Sequence, residues 1–417
     1  MLSLTNMWFR YANSKLLVVY FASFVGPVSG NTVLTLIPTL KSTFHTDVGT
    51  VLLAITALMV PFAFFQLFSG TISDVYGRRK VLAAGFLIYG AGLTLIGFSP
   101  NFNIWVFLGA RFICGIGYAF IGPVLPACIG DLTKIEYRGK VMGIYSSMVT
   151  FGTAVGPLLA GFLADVWWYI YFMLAGMAFL SLFLVWFFLG TVNVPKNVSI
   201  PVMSQVFLDL REVFSHKNVL VLSLAGFFGY LGLAGVSSFL SDTLSLPPFY
   251  LDAVSIGVIL SAWGAVVIFF APLSGYLMDR WGRGNVAYLG IAVSLCALLL
   301  LFFSQDFWWF MLSTALFGIG GNLFWLPLGT LSVELVPQMR GATASVYNSL
   351  GMFGYALAPY LLTPVYNDYG TSMISGFQII ILIAMFTLLS MIFFIRYLGR
   401  QELPEIQIKK PKPTLIH

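Results

Sequence analysis

Side chains able to do chemistry are few in this chain, and they fall in short, separate segments. Gly70-Thr71-Ile72-Ser73-Asp74-Val75-Tyr76-Gly77-Arg78-Arg79-Lys80 sets one acid four residues ahead of three bases and brackets it with glycines. A carboxylate there can cap the positive N-terminus of a neighbouring helix. Arg78 and Arg79 can pair with acids on adjacent loops, Asp131 and Glu136 being nearest, and Gly70 and Gly77 permit close helix approach and a tight turn. Arg111 stands in an apolar run, on one helical face with Gly115, Tyr118 and Gly122. Burying it in a bilayer costs at least ~2.5–3.5 kcal/mol on insertion scales, so it requires an anionic substrate, a nearby acid or helix carbonyls as its partner, or a side chain that snorkels outward to water. Gly152-Thr153-Ala154-Val155-Gly156-Pro157-Leu158-Leu159-Ala160-Gly161 combines small residues four apart with a helix-bending proline, the makings of a hinge or a seal. Polar and aromatic residues suited to a binding cavity are Asn31, Tyr118, Tyr145, Tyr230, Trp263, Asn322, Trp325, Tyr347 and Asn348. No nucleophile stands with a base, and no metal-binding set is visible. His45 and His216 read as solvated, and Cys114, Cys128 and Cys296 lie in apolar runs that imply no disulfide framework. An enzyme is not expected, nor a cofactor or metal.

The elements that position these residues are membrane-spanning helices. Of 417 residues, 59% are hydrophobic and 9% charged, against a usual ~25% charged, and the mean hydropathy is +0.93. A soluble domain with that composition would expose an insoluble surface. A span needs ~20 apolar residues, which gives twelve: 15–40, 49–73, 80–99, 103–130, 139–164, 168–190, 217–241, 252–278, 285–304, 306–333, 340–366 and 371–398. Alternating sides from an inside N-terminus puts every Lys and Arg except Lys41 and Arg111 on one side, while Asp47, Asp165, Asp242, Asp252, Asp306 and Asp368 fall on the other. The basic excess is therefore a topology signal that places both termini in the cytoplasm, not a nucleic-acid patch. The expectation is a six-span bundle over 1–190, a cytoplasmic linker over 191–216, a second bundle over 217–398 and a tail over 399–417. Val202, Val206, Leu210 and Phe214 predict an amphipathic helix in the linker, lying on the inner membrane face. Asn197-Val198-Ser199 has a glycosylation pattern but falls on the cytoplasmic side.

The two bundles repeat one another. At an offset of 202, residues 138–159 align with 340–361 without gaps, keeping Arg138/Arg340, Gly152/Gly354 and Pro157/Pro359 among the identities. Near 205, Ser69, Gly70, Asp74, Gly77 and Arg78 match Ser274, Gly275, Asp279, Gly282 and Arg283. Gly115-Ile116-Gly117 matches Gly318-Ile319-Gly320, and 14 residues beyond each last glycine stands an acid, Asp131 or Glu334. Such duplication is the architecture of alternating-access transporters.

With these landmarks in place, the Gly70–Lys80 segment resembles the signature loop between helices two and three of the major facilitator superfamily, and the likeness covers essentially the whole chain. It implies an all-α membrane protein of twelve helices in two pseudo-symmetric bundles, working as a monomer in the cell membrane on a small-molecule substrate. It also implies that Asp74, Arg78, Arg79, Asp131 and Arg138, with Asp279, Arg283, Glu334 and Arg340 in the second copy, latch the cytoplasmic side. The Gly152–Gly161 segment resembles the antiporter motif of the drug–proton branch, and Arg111-Phe112-Ile113-Cys114-Gly115-Ile116-Gly117 the fourth-helix motif whose Arg is implicated in proton coupling. The functional expectation is proton-driven efflux of small amphipathic organic compounds. The alternatives are an uptake carrier for a metabolite, such as an organic anion held by Arg111, and more remotely a non-transporting sensor. All acids are expected in loops or at span ends, so any proton coupling would use a span-end carboxylate, Asp131 first.

Overall fold

The computed structural model describes residues 14–134, 137–190, 202–336, 339–368 and 375–400. Glu136, the linker residues 191–201 with their glycosylation pattern, and the basic tail beyond Arg400 lie outside them. The described residues form helices joined by short turns, with no strand among them. The first half holds α1 (Ser14–Phe44), α2 (Val48–Tyr76), α3 (Arg78–Phe98), α4 (Ile104–Ala119), α5 (Val124–Leu132), α6 (Arg138–Phe162) and α7 (Trp167–Phe188). After the linker helix α8 (Val202–Ser215) come α9 (Lys217–Ser245), α10 (Ala253–Trp281), α11 (Arg283–Phe302), α12 (Phe307–Glu334), α13 (Arg340–Asp368) and α14 (Gly376–Arg400).

Among the described residues, eleven segments are helical, long and apolar enough to cross a membrane, α4 and α5 counting together as one. The twelfth expected span, α13, has 29 residues but is more polar, with Ser345, Asn348 and Ser349 along it. Its place explains this: it packs between α9 of its own half and α2 of the other, so protein covers much of a surface that other spans give to lipid.

Two expectations need correction. The fourth span is not one helix, because the chain turns at residues 120–123 and restarts after Pro123, which cannot donate a backbone bond. Asp242, expected in a loop, lies inside α9, which runs one turn further than its apolar stretch and buries the carboxylate.

The repeat is legible in the caps. Asp47 starts α2 by accepting from the Thr50 amide at 3.0 Å and its hydroxyl at 2.6 Å. Asp252 starts α10 through the Ser255 amide at 3.1 Å. Asn103 and Asp306 do the same for α4 and α12. Gly77 and Gly282 join α2 to α3 and α10 to α11 at φ 92° and 81°, a backbone region that favours glycine. Asp47 lies outside the spans, and the Thr50 hydroxyl and amide hold its carboxyl below the ordinary aspartate value. Its capping contribution is therefore present above the unfolded-state value and lost as pH falls through the folded one. Asp47→Ala is expected to weaken the start of α2 by about 0.5–2 kcal/mol, read as faster amide exchange over the first turn of α2.

Within each half the packing is equivalent. α1 lies on α6 and α7, as α9 lies on α13 and α14; α2 and α3 pack on α4, as α10 and α11 pack on α12. The halves meet through α6 on α10 and α2 on α13, two contacts that exchange under the repeat, with α1 touching α9 near the axis. The helix ends bearing Asp47, Asp252 and Asp306 form one face, here termed acidic. Those bearing Arg78, Arg138, Arg280 and Arg283 form the opposite, basic face.

Candidate functional site

At the basic face Arg78 is the hub. Its Nε donates to Asp131 Oδ2 at 3.1 Å, and its terminal nitrogens reach Asp74 and the Ser73 hydroxyl. Arg283 pairs with Glu334 in the second half, so the expected Arg–acid pairing holds at both copies. Arg138 donates to the carbonyls of Gly130 at 2.6 Å and Thr133 at 3.2 Å, capping the end of α5. Arg79 does not join the acids. Its guanidinium sits 4.5 Å from the centre of the Trp186 ring on α7, a cation–π contact. Asp74, expected to cap a neighbouring helix, has a side chain 58% exposed and an ion pair to Arg78 on the adjoining helix. Its counterpart Asp279 is exposed. A Cβ added to Gly70, Gly139, Gly275 or Gly341 would meet nothing within 4 Å. The close approach that Gly70 permits is thus unused here. Of Arg340, only the backbone at the start of α13 is described.

Arg111 is 1% exposed. Its Nε donates to the Ala54 carbonyl at 3.1 Å and one terminal nitrogen to the Ser29 carbonyl at 3.3 Å. It therefore ties α4 to α2 and α1 through backbone oxygens. Thr314 takes the equivalent place in α12 and donates to the Ile259 carbonyl at 3.0 Å, the repeat counterpart of Ala54. Two copies of one helix contact, one cationic and one neutral, mark the bond as structural. A lysine offers a point charge where Arg111 offers a planar fork to two helices. Arg111→Lys is expected to slow transport of neutral and anionic substrates alike by about tenfold, the equivalent of one charged hydrogen bond. A loss confined to anions in a flux assay would return Arg111 to substrate binding.

The α6 motif works on two sides. Gly152 and Gly156 face α1, where an added Cβ would lie 2.9 Å from the Phe24 carbonyl oxygen and 2.6 Å from that of Val28. Ala154, Pro157 and Gly161 face α10 of the other half, against Gly264, Gly257 and Ala253. The second copy keeps the first role: a Cβ at Gly354 would lie 2.2 Å from the Phe227 oxygen of α9. Pro359 lies in α13, as Pro157 lies in α6.

The acidic face is closed by residues that the sequence did not single out. Lys41 Nζ on α1 lies 2.5 Å from Asp242 Oδ1 on α9. The Tyr366 hydroxyl on α13 donates to Asp242 Oδ2 at 3.0 Å. Beside them the Ser241 hydroxyl donates to the Thr35 carbonyl at 3.3 Å. Further along the seam Thr56 donates to the Ala356 carbonyl at 2.7 Å and Ser349 to the Ala63 carbonyl at 2.5 Å. One signal was present, since Lys41 is the lone base on its side of the chain.

The cavity candidates gather by halves. Tyr118 packs on Gly26, stacks on Phe62 at 4.8 Å and lies 5.8 Å from Tyr89, between ring centres, and Tyr145 neighbours it. Tyr230 lies on Trp325 at 3.5 Å, and Tyr347, 2% exposed, packs on Gly226. Trp263 packs on Gly318 and Phe317. Asn31 donates to the Pro27 carbonyl at 2.8 Å. Asn322 accepts from Ser274 at 2.6 Å, and Asn348 is exposed. Asn31 and Asn322 are thus engaged within their own halves, whereas the buried Tyr347 hydroxyl has no hydrogen-bond partner.

The model of the Major Facilitator Superfamily matches residues 19–359 and 222–415. The tetracycline resistance protein, class H, of Pasteurella multocida is 23% identical over 365 residues, 85% of this chain and 90% of that protein. The class B protein of Escherichia coli is 29% identical, over 76% and 78% of the two chains. Multidrug resistance protein MdtG of Proteus mirabilis is 27% identical, over 73% and 75%. Among solved structures, the nucleoside transporter NupG superposes with a TM-score of 0.75 at 16% identity, covering 93% of this chain and all of that one. The human organic anion transporter MFSD10 gives 0.72, also at 16%, over 92% and 99%. With its duplicated bundles, mirrored Arg–acid pairs and a family match along nearly its full length, the chain belongs to the major facilitator superfamily and is a transporter, not an enzyme.

Proposed function

We propose that this chain is a secondary exporter that moves small amphipathic organic compounds out of the cell in exchange for protons. It works as a monomer in the cell membrane, with the basic face and both termini in the cytoplasm. The observation that carries this reading is the near full-length likeness to tetracycline and multidrug resistance proteins. The aromatic groups around Tyr118 and Trp325 support it, since they offer apolar faces and hydroxyls to a ligand but no ionised group. Arg111, engaged by carbonyls, gives no support to the organic-anion carrier. The latch residues Asp74, Arg78, Asp131, Arg283 and Glu334 close the basic face in the opposite state of the cycle, and α6 is the hinge and seal.

Purified protein in liposomes, with an imposed pH gradient and a panel of dyes, nucleosides, sugars and carboxylates, tests the reading. Lipophilic dyes are expected to move against the proton gradient, and a proton ionophore to stop them. Flux confined to carboxylates or nucleosides, or unaffected by the gradient, would overturn it.

A further inference from the structure

At the acidic face the ends of α9, α11, α12 and α14 enclose a cavity of about 520 Å³ within the second half. That volume suits a drug-sized ligand. Neither Tyr118 nor Trp325 is among its lining residues, so it stands apart from the aromatic groups around those two side chains.

The fold does not require this cavity. Three residues, 45–47, suffice to join α1 to α2, whereas seven, 246–252, join α9 to α10. The longer connection brings Pro247, Pro248 and Phe249 into the wall. Its own bonds hold it, the Phe249 amide donating to the Leu246 carbonyl at 3.0 Å and the Leu251 amide to the Leu244 carbonyl at 2.9 Å. Phe249 also meets Phe310 of α12 edge-on, with ring centres 4.9 Å apart. At the matching end of the first half, Phe172 of α7 closes directly on α3. Its ring lies 2.8 Å from where a Cβ on Gly97 would stand, and Phe98 meets it edge-on at 4.9 Å. In the second half Gln378 of α14 instead reaches across to the Phe302 carbonyl of α11 at 3.2 Å.

The chemistry of the wall selects a neutral ligand. Phe249, Phe303 and Phe310 offer aromatic surface, and no ionisable side chain stands among the described lining residues. An ionised compound would shed water there without gaining a counter-charge. Polar groups of the wall are mostly engaged, as in Gln378, which also accepts from the Ser375 amide at 2.9 Å, and Ser304, which donates to the Leu300 carbonyl at 2.8 Å. Gln305 differs. It is exposed, and its carboxamide makes no hydrogen bond within the described residues.

We propose that this cavity is a second binding site, for a neutral aromatic compound that carries a carbonyl or hydroxyl group. The aromatic body lies against Phe249 and Phe303, and the Gln305 carboxamide donates to the ligand oxygen. All the walls belong to the second half, so they move as one body when the halves alternate. A ligand held equally in both states shifts neither of them. The site therefore accompanies the transport cycle without driving it, and it rests on neither the direction of transport nor proton exchange.

Photolabelling of the protein in liposomes with benzophenone, a neutral aromatic ketone, tests it. Under ultraviolet light its carbonyl carbon bonds to a neighbouring carbon, whose hydrogen passes to the carbonyl oxygen, and mass spectrometry of peptides locates the bond. Labelling is expected to saturate and to concentrate in 246–252 and 301–310. The carboxylate probe 4-benzoylbenzoate is expected to leave those segments unlabelled. Gln305→Leu should raise the half-saturating concentration about fivefold, the equivalent of one neutral hydrogen bond. Diphenylmethanol should compete better than diphenylmethane in the parent and no better in Gln305→Leu. Deleting residues 247–250 leaves a three-residue connection like that of the first half and keeps the Asp252 cap, and it should abolish the saturable labelling. Labelling that rises without saturation would overturn the proposal, as would labelling of the same segments by 4-benzoylbenzoate. So would a half-saturating concentration unchanged in Gln305→Leu, even if the deletion failed to fold. Saturable labelling without dye flux would leave this site standing and count against the exporter reading, while dye flux with unsaturable labelling would do the reverse.

Discussion

Asp74→Asn is expected to leave the protein folded and inserted while lowering transport by at least about tenfold. In the conformation described, Asp74 pairs with Arg78 and is largely exposed, and an exposed pair contributes only ~0–1 kcal/mol. Little is therefore lost in this state. The cost falls on the opposite state, in which the basic face closes and Gly70 lets α2 approach the helix that Asp74 caps. A carboxylate at a helix N-terminus is worth up to ~2 kcal/mol in a partly buried setting, and removing it depopulates that state alone. Initial rates in liposomes, with thiol labelling of the half-buried neighbour Thr71→Cys as the conformational readout, check this. Labelling should rise as transport falls. Normal rates in a well-inserted Asp74→Asn protein would end the latch role.

Gly156→Leu is expected to abolish transport, whereas Leu158→Ile, two residues along, should stay within about twofold of the parent. A Cβ at Gly156 would sit 2.6 Å from the Val28 oxygen and 3.3 Å from the Thr32 nitrogen, and backbone atoms cannot rotate aside as a side chain can. α1 and α6 must then separate, at a cost of about 1–3 kcal/mol for overpacking alone. Ala154 holds the seam to Gly264 on the same helix, so the displacement carries into the joint between the halves. Gly156→Ala should be intermediate. Equal rates in Gly156→Leu and the parent would reject the sealing role of α6.

The fold was legible because its causes are local and repeated. Apolar runs of span length, basic loops on one side and a nearly constant offset, 205 for Gly77/Gly282 and 203 for Asp131/Glu334, needed no knowledge of packing. The Arg78–Asp131 pair was legible for the same reason, both residues lying on adjoining loops of one face. What escaped depends on contacts between distant helices. Asp242 looked like a loop residue, because a hydropathy run ends where its apolar residues end, while α9 continues for another turn under cover of α1. Arg111 suggested a ligand because its partners, the Ala54 and Ser29 carbonyls, exist at every residue and leave no mark in a sequence. Arg79 found Trp186, an aromatic partner that charge matching does not consider.

Alternation itself is most directly tested by distances across both ends of one helix pair. Spin labels on Phe162→Cys and Tyr250→Cys report the acidic face, and those on Tyr137→Cys and Trp281→Cys report the basic face, each in a Cys296→Ser background. All four residues are exposed, and in each pair one label lies on or beside α6 and the other on or beside α10. Pulsed electron–electron resonance on both pairs, with and without a transported dye, should show the acidic-face distance lengthening as the basic-face distance shortens. Two distances that stay fixed, or that lengthen together, would contradict alternating access in this protein.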